Sequence, residues 1–342
     1  MRPLARVFAL APDCHAANNR YADLWRRHFY QGLAGALPEV VLPADVDFSW
    51  ARPASTATLQ PSPARTTMSE RLWDQIRQAP VDAVISYCFA SDIDEALVKR
   101  TVASGRPWIN FFCDSTYAFD RVEPLAREAS LNWFPESAAE WRYVALGRPW
   151  LCRPYALNPA ALPESPCEVA AHTLGFVGAP TGNRILRLAA LAALGCPVTV
   201  RGEGWRRQPE RILLRALRPL VRAGGRLDDA GLAHFVSECR LILGLNEGGA
   251  RCRADRSYLK LRDIEFPAYG ACYLTQHNQD VERAFDVGRE VLTFRGLREA
   301  VAIARDYASH PEMAQAVGRA GRRRVLAEHT WSTRITELAR AL

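Results

Sequence analysis

Lysine is nearly missing from this sequence. Lys99 and Lys260 are the only two among 44 basic residues, so arginine carries almost all of the net charge of +7. Such an arginine bias has two readings: a GC-rich genome, or an anionic partner such as a nucleotide, a nucleic acid or a membrane surface. The sequence also lacks any C-x-x-C pair. Its nine cysteines, Cys14, Cys88, Cys113, Cys152, Cys167, Cys196, Cys239, Cys252 and Cys272, are scattered and odd in number. That argues against a zinc site or disulfide framework and for a reducing compartment, with the cysteines inside apolar runs acting as small core residues. No run of about 18 uncharged apolar residues occurs, so no membrane-spanning helix is expected. The first apolar stretch, from Val7, is too short for a signal-peptide core, which makes the cytoplasm the expected compartment. Zinc-finger spacing, an RNA-recognition signature and a basic low-complexity tail are missing too, so only charge supports nucleic-acid binding.

What is present is apolar mass. Hydrophobic residues make up 49% of 342 positions, enough for two cores of about 150 residues each. The first half opens with a strand at 6–11, a polar loop at 12–19 and a helix at 20–37 on which Tyr21, Leu24, Trp25, His28, Phe29 and Leu33 share a face. A second strand follows near 40–43, then a loop at 50–67 rich in Pro, Ala, Ser and Thr, then a helix with Ser69 as its N-cap. A strand at 81–87, a helix at 92–104 and a strand at 108–113 define a right-handed crossover in a parallel sheet. Ligands gather at the carboxyl ends of such strands. Asp13, His15, Cys88 and Asp114 are therefore candidates by position, with Asp114 or His15 as a general base. Asp114 also reads as a turn or capping residue, and His15 as a solvated loop histidine. The Asp92-Ile93-Asp94 triplet mimics a metal motif, but Ser91 and Glu95 around it read as a cap and an acidic first turn; Asp45-Val46-Asp47 is weaker still. Residues 133–159 read as irregular, and an inter-domain linker is expected at 155–170.

The pattern then restarts. A strand at 172–177 runs into Gly178-Ala179-Pro180-Thr181-Gly182-Asn183-Arg184, then a helix to 194 and a strand at 197–201 followed by Gly202-Glu203-Gly204-Trp205. The first loop is not G-x-G-x-x-G, so a dinucleotide fingerprint is not met. Its glycines still let backbone amides approach a phosphate at a helix N-terminus, with Arg184 adding charge, although a plain surface turn reads equally well. Residues 210–224 read as a basic helix with Arg211, Arg215, Arg218 and Arg222 on one face, either solvated or facing a membrane or polyanion. A helix at 228–240 and a strand at 241–245 lead into a polar loop at 246–255.

The densest chemistry lies at 256–275, RSYLKLRDIEFPAYGACYLT. Lys260, Arg262, Asp263 and Glu265 fall within six residues, Pro267 to Gly270 break the pattern, and a short buried strand follows. Cations and a carboxylate feeding a glycine and a strand suit a ligand that is part anion, part sugar. The bland reading is an exposed, salt-bridged helical turn.

In order, Gly175-Phe176-Val177-Gly178, the run 198–205 (VTVRGEGW), 241–246 (LILGLN), 259–270 (LKLRDIEFPAYG), 285–294 (FDVGREVLTF) and 328–334 (EHTWSTR) resemble the C-terminal domain of GT-B-fold glycosyltransferases, in particular the spore-maturation-protein-like group. The resemblance covers residues 172–342; over the first half it is architectural, apart from 108–115. It implies an α/β GT-B fold: an N-terminal Rossmann-like acceptor domain over 1–160 and a C-terminal nucleotide-sugar domain over 170–342, facing a cleft, with the last helix returning to the first domain. It implies a metal-independent transferase moving a sugar from a nucleotide-diphosphate carrier, UDP among them, to a glycan, small-molecule, lipid-linked or protein acceptor. Glu265 matches the carboxylate that binds the ribose hydroxyls. The donor-binding residues expected are Gly178, Asn183, Arg184, Gly202, Lys260, Arg262, Glu265 and Thr275, with Arg184 and Lys260 holding the diphosphate. Related retaining enzymes carry a second Glu where this chain has Ser257, which leaves the stereochemical outcome open. A GT-B protein that binds nucleotide or glycan without catalysis is the alternative. Peripheral membrane contact through the arginines of 211–222 is a further expectation.

Overall fold

The computed structural model describes residues 4–11, 25–45, 63–162, 172–180, 183–205, 221–246 and 258–342. Asp13, His15, Ser257, Arg211, Arg215 and Arg218 lie outside these residues. The chain divides into two compact units, Met1–Ala161 with His329–Leu342, and Leu162–Glu328.

In the first unit β1 (Arg6–Leu10) is followed by a π-helical turn (Arg26–Tyr30), α1 (Gln31–Ala36) and β2 (Glu39–Val41). Then come α2 (Pro63–Gln78), β3 (Ala83–Ser86), α3 (Glu95–Ala103), β4 (Trp108–Phe111), α4 (Ser115–Ala118), α5 (Glu123–Glu128), β5 (Leu131–Phe134), α6 (Glu140–Leu146) and β6 (Trp150–Cys152). The strands pair in the order β2-β1-β3-β4-β5-β6, all parallel. AVIS, WINF and LNWF are buried along their whole length, as a parallel sheet covered on both faces requires.

The second unit runs β7 (His172–Val177), α7 (Arg184–Ala193), β8 (Val198–Arg201), β9 (Val221–Ala223), α8 (Asp229–Ser237), β10 (Cys239–Gly244), α9 (Leu261–Ala268), β11 (Tyr273–Gln276), α10 (Gln279–Ala284), β12 (Leu292–Phe294), α11 (Leu297–Ser309) and α12 (Pro311–Glu328). Its sheet is also parallel, in the order β12-β11-β10-β7-β8-β9. Ile185, Leu188, Ala189, Leu191 and Ala192 bury one face of α7 in a core shared with Leu174, Phe176, Val198, Val200, Leu241 and Leu243. Among the described residues no helix is long and apolar enough to cross a membrane.

Several boundaries differ from the sequence reading. The stretch at 63–67 is helical: α2 starts at Pro63, whose fixed φ and missing N–H suit a first helical position. Ser69 is then interior, and its hydroxyl accepts from Asp94 N at 2.9 Å. The expected irregular region at 133–159 holds the end of β5 and all of α6 and β6; short strands bordered by Pro135, Pro149 and Pro154 hide among turn signals. Arg222 lies on β9, so 221–223 is strand and not the end of a basic helix. Pro267 sits inside α9, and the helix stops only at Tyr269. Gly270, at φ 81°, closes it: Gly270 N donates to Pro267 O and Ala271 N to Phe266 O, the paired bonds of a Schellman end.

The last helix, α13 (Trp331–Ala341), is capped by Thr330 and packs on α1 in the first unit. The Trp331 ring lies over Gly32, where a Cβ would come within 2.3 Å of it. Its indole N–H donates to His28 O, and it meets Phe29 and Trp133 edge-on at 5.5 Å. Trp331→Phe removes that hydrogen bond and part of the ring, and is expected to cost about 1–2 kcal/mol in a denaturant titration. A loss below a few tenths would mean that the helix docks without its anchor.

Candidate functional site

In an open parallel sheet the crevice for a ligand opens where the strand order reverses, beyond the carboxyl ends of the two diverging strands. In the second unit that point lies between β7 and β10. Arg184, the first residue of α7, crosses it: its guanidinium donates to Ala179 O at 3.0 Å and to Leu245 O at 3.2 Å, tying the loop after β7 to the end of β10. The group is buried and lies over the Phe176 ring. Arg262 reaches the same edge from α9 and donates to Val177 O at 3.3 Å. Asn183 is exposed at the start of α7.

Next to this crevice β7 and β8 end almost in contact. Gly178 N donates to Arg201 O, Trp205 Nε1 donates to Gly178 O at 2.7 Å, and a Cβ at Gly202 would fall 2.2 Å from Gly178 O. At φ 143° and with that oxygen so close, position 202 accepts glycine only. The first glycine of the G-x-G-W turn is thus a steric requirement of the strand ends, and its tryptophan ties them together.

α9 carries the charged cluster. Glu265 is 6% exposed, one turn beyond Arg262 on the same helix. Lys260 flanks the N-terminus, its Nζ 3.4 Å above the centre of the Tyr258 ring, a cation–π contact that holds the ammonium at the helix entrance. Tyr258 and Leu259 are fully buried beside it.

The residue that sequence reasoning left without a role is Asp263. It is 1% exposed, and its carboxylate gathers donors from three elements: Asn246 Nδ2 at 2.6 and 2.7 Å, Tyr273 OH at 2.7 Å, Thr275 Oγ1 at 3.0 Å and Lys260 N at 2.5 Å. The last bond is half of a capping box, an N3 carboxylate returning to the N-cap amide. Burial pushes the Asp263 carboxyl above the usual range, while these donors and the Arg262 charge pull it down. Burial, joined by the Asp263 charge, holds the Tyr273 phenol well above its ordinary value. Thr275, expected among the donor-binding residues, is fully buried and spends its hydroxyl on this network. An acidic residue three positions after the first charge of the helix was the available signal.

In the first unit Asp114 follows β4 with left-handed backbone, φ 68° and ψ 19°, and is one of two described non-glycine residues at positive φ. The turn is held by buried Glu136, which accepts from Ser115 N at 2.9 Å, and by a 2.7 Å contact between Ser115 Oγ and Tyr143 OH. Strain of this sort collects at functional positions. Burial, with Cys113 and the Asp114 and Glu136 charges, pushes the nearby Tyr155 phenol far up. Cys88, a candidate by position, is wholly buried with its thiol toward Leu10 O and belongs to the core. Cys239 and Cys272 are core thiols too, pushed up to about 12 chiefly by burial. The Asp92-Ile93-Asp94 triplet is structural: Asp92 accepts from Phe89 N, and Asp94 pairs with Arg65 at 2.5 Å.

Two parallel Rossmann-like sheets, with the last helix returned to the first unit, make this a GT-B fold. Residues 184–340 match the family described as glycosyl transferase-like. Among solved structures, the chain is similar over 98% of its length to HepE of Anabaena in complex with UDP-glucose, at 12% identity and a TM-score of 0.64, covering 100% of that chain. It is similar over 98% to sucrose-phosphate synthase from Thermosynechococcus elongatus, at 13% identity and a TM-score of 0.63, covering 98% of that chain. AviGT4, a glycosyltransferase involved in avilamycin A biosynthesis, is matched over 99% of this chain and 97% of its own, at 15% identity and a TM-score of 0.58. No curated protein matches the sequence.

Proposed function

We propose that this protein is a glycosyltransferase that moves a sugar from a nucleotide-diphosphate sugar, with UDP the first carrier to test, to an acceptor held by the first unit. The observation that carries the reading is the arrangement on α9: buried Glu265 sits one turn from Arg262, which reaches the β7–β10 crevice that Arg184 spans. In this reading Glu265 accepts the ribose hydroxyls, and Lys260, with the amides at the start of α7, faces the diphosphate. Developing negative charge on the leaving diphosphate is stabilised there by fixed cations and N–H dipoles. Asp114, or His15, takes the proton of the acceptor hydroxyl. No step in this reading needs a metal. Kinship with the spore-maturation-protein-like group rests on the run 259–270, and a cytoplasmic location on the composition.

A melting-temperature screen against UDP, GDP, TDP and CDP tests the donor site, since a ligand that binds only the folded state raises the transition. One nucleotide is expected to stand out. Glu265→Ala is expected to weaken its binding about 10- to 100-fold by calorimetry, the range for a lost charge-assisted hydrogen-bond pair. Unchanged affinity would remove Glu265 from the site. Binding without turnover, and without release of free nucleoside diphosphate, would favour a GT-B protein that only recognises its ligand.

A further inference from the structure

We infer that the face of the first unit carrying Trp141, Val144 and Trp150 docks onto an anionic lipid bilayer. In α6 Tyr143 turns inward and stacks on Phe134 at 3.8 Å, and this fixes the rotation of the helix. Trp141 and Val144 therefore face away from the core and are 64% and 58% exposed. After Gly147-Arg148-Pro149 the chain enters β6 with Trp150, 38% exposed and 6.0 Å from the Phe134 ring, on the side of the sheet that α6 covers. Isolated exposed apolar residues are ordinary, but two tryptophans and a valine on adjoining elements of one edge are not.

The charge around them selects the partner. From Trp141 to Arg153 the sequence holds Arg142, Arg148 and Arg153 and no acidic residue. The half-buried Arg142 guanidinium lies 4.9 Å from the Trp141 ring centre and 5.1 Å from that of buried Phe119, which holds the cation beside the exposed indole. Arg148 is exposed and anchored by its Nε to Arg127 O at 2.8 Å. Arg153 is partly spent on Glu337, and the bordering Glu123 is held by Arg127. A two-fold dimer centred on this patch would bring Arg142 and Arg148 against their own counterparts. A layer with phosphate headgroups above acyl chains instead takes the guanidinium groups in its anionic plane and the indoles at its apolar boundary. The surface differs from the arginines expected at 211–222, and the inference holds whether or not the chain transfers sugar.

Sedimentation of the full chain with vesicles tests it. The protein is expected to pellet with mixed phosphatidylcholine and phosphatidylglycerol vesicles, to stay in solution with phosphatidylcholine alone, and to dissociate as salt screens the arginines. Trp141→Ser together with Trp150→Ser should weaken binding about tenfold or more, since each removes a ring from the acyl boundary. Trp141→Ser alone, at the most exposed position, should weaken it measurably with an unchanged melting temperature. Arg142→Gln and Arg148→Gln should each cost about fivefold. No pelleting, equal pelleting with both vesicle types, or parental binding by the tryptophan variants would overturn the inference. So would a concentration-dependent dimer that Trp141→Ser dissolves.

Discussion

Asp114→Asn is expected to lower turnover by about 10²–10⁴-fold while the protein stays folded, the usual loss when a positioned general base is removed. Asn is among the few residues that accept a left-handed backbone, so the turn at φ 68° survives the change. The turn also has its own supports in the Glu136 bond to Ser115 N and the Tyr143 contact, neither of which uses the Asp114 carboxylate. A melting temperature close to the parent's then separates lost chemistry from lost structure. Asp114→Gly serves as a second control: it relieves the backbone and removes the carboxylate, so it too should be inactive and folded. His15→Ala is run in parallel. If Asp114→Asn kept turnover within about twofold of the parent and His15→Ala did not, the base would be His15; if both stayed active, neither would serve.

Asp263→Ala is expected to destabilise the second unit by about 3–5 kcal/mol. The substitution leaves the Asn246 amide, the Tyr273 and Thr275 hydroxyls and the Lys260 amide without their common acceptor, all of them inside the protein. Each abandoned donor costs about 1–3 kcal/mol before the hydroxyls turn to other acceptors or water enters, which brings the sum down. Tyr273→Phe and Thr275→Val each remove one donor and leave the carboxylate served by the rest, so each should cost only about 0.5–1.5 kcal/mol. Equilibrium denaturation of the three variants measures the difference. A loss under 1 kcal/mol for Asp263→Ala would show that the cluster is not held by its carboxylate. The functional consequence is geometric: Asp263 fixes Asn246 at the end of β10 and Lys260 at the start of α9, the two flanks of segment 247–257, so loss of the cluster should raise the donor KM as well.

Much of the architecture was legible in the sequence because parallel strands buried on both faces announce themselves. VFAL, AVIS and WINF are mostly apolar without a polar alternation, and the nine-residue helix α3 lies between AVIS and WINF as a crossover requires. The GT-B class followed from the ordered run of motifs in the second half. Legibility failed where two signals compete. β5, α6 and β6 lie among prolines, and proline is read as punctuation whether it ends an element or only borders it. The break expected over 267–270 falls at its far end, where Tyr269 and Gly270 close α9, and the helix runs through Pro267 itself. Within the candidate site, Glu265 and Arg262 were visible as local charge. The role of Asp263 was not, because three of its four donors come from residues 246, 273 and 275, brought together by strand pairing that no local pattern records.

The way the chain closes has a consequence for the order in which it is made. The first unit contains residues 329–342, and Trp331 fills the space over Gly32. A nascent chain that has exposed everything up to residue 161 still lacks this helix, so the N-terminal half must wait with Phe29 and Trp133 uncovered while the whole second unit is synthesised. Domains usually fold in the order of their synthesis. Here the unit begun first is finished last, and during that interval its open aromatic notch is the surface a chaperone would meet.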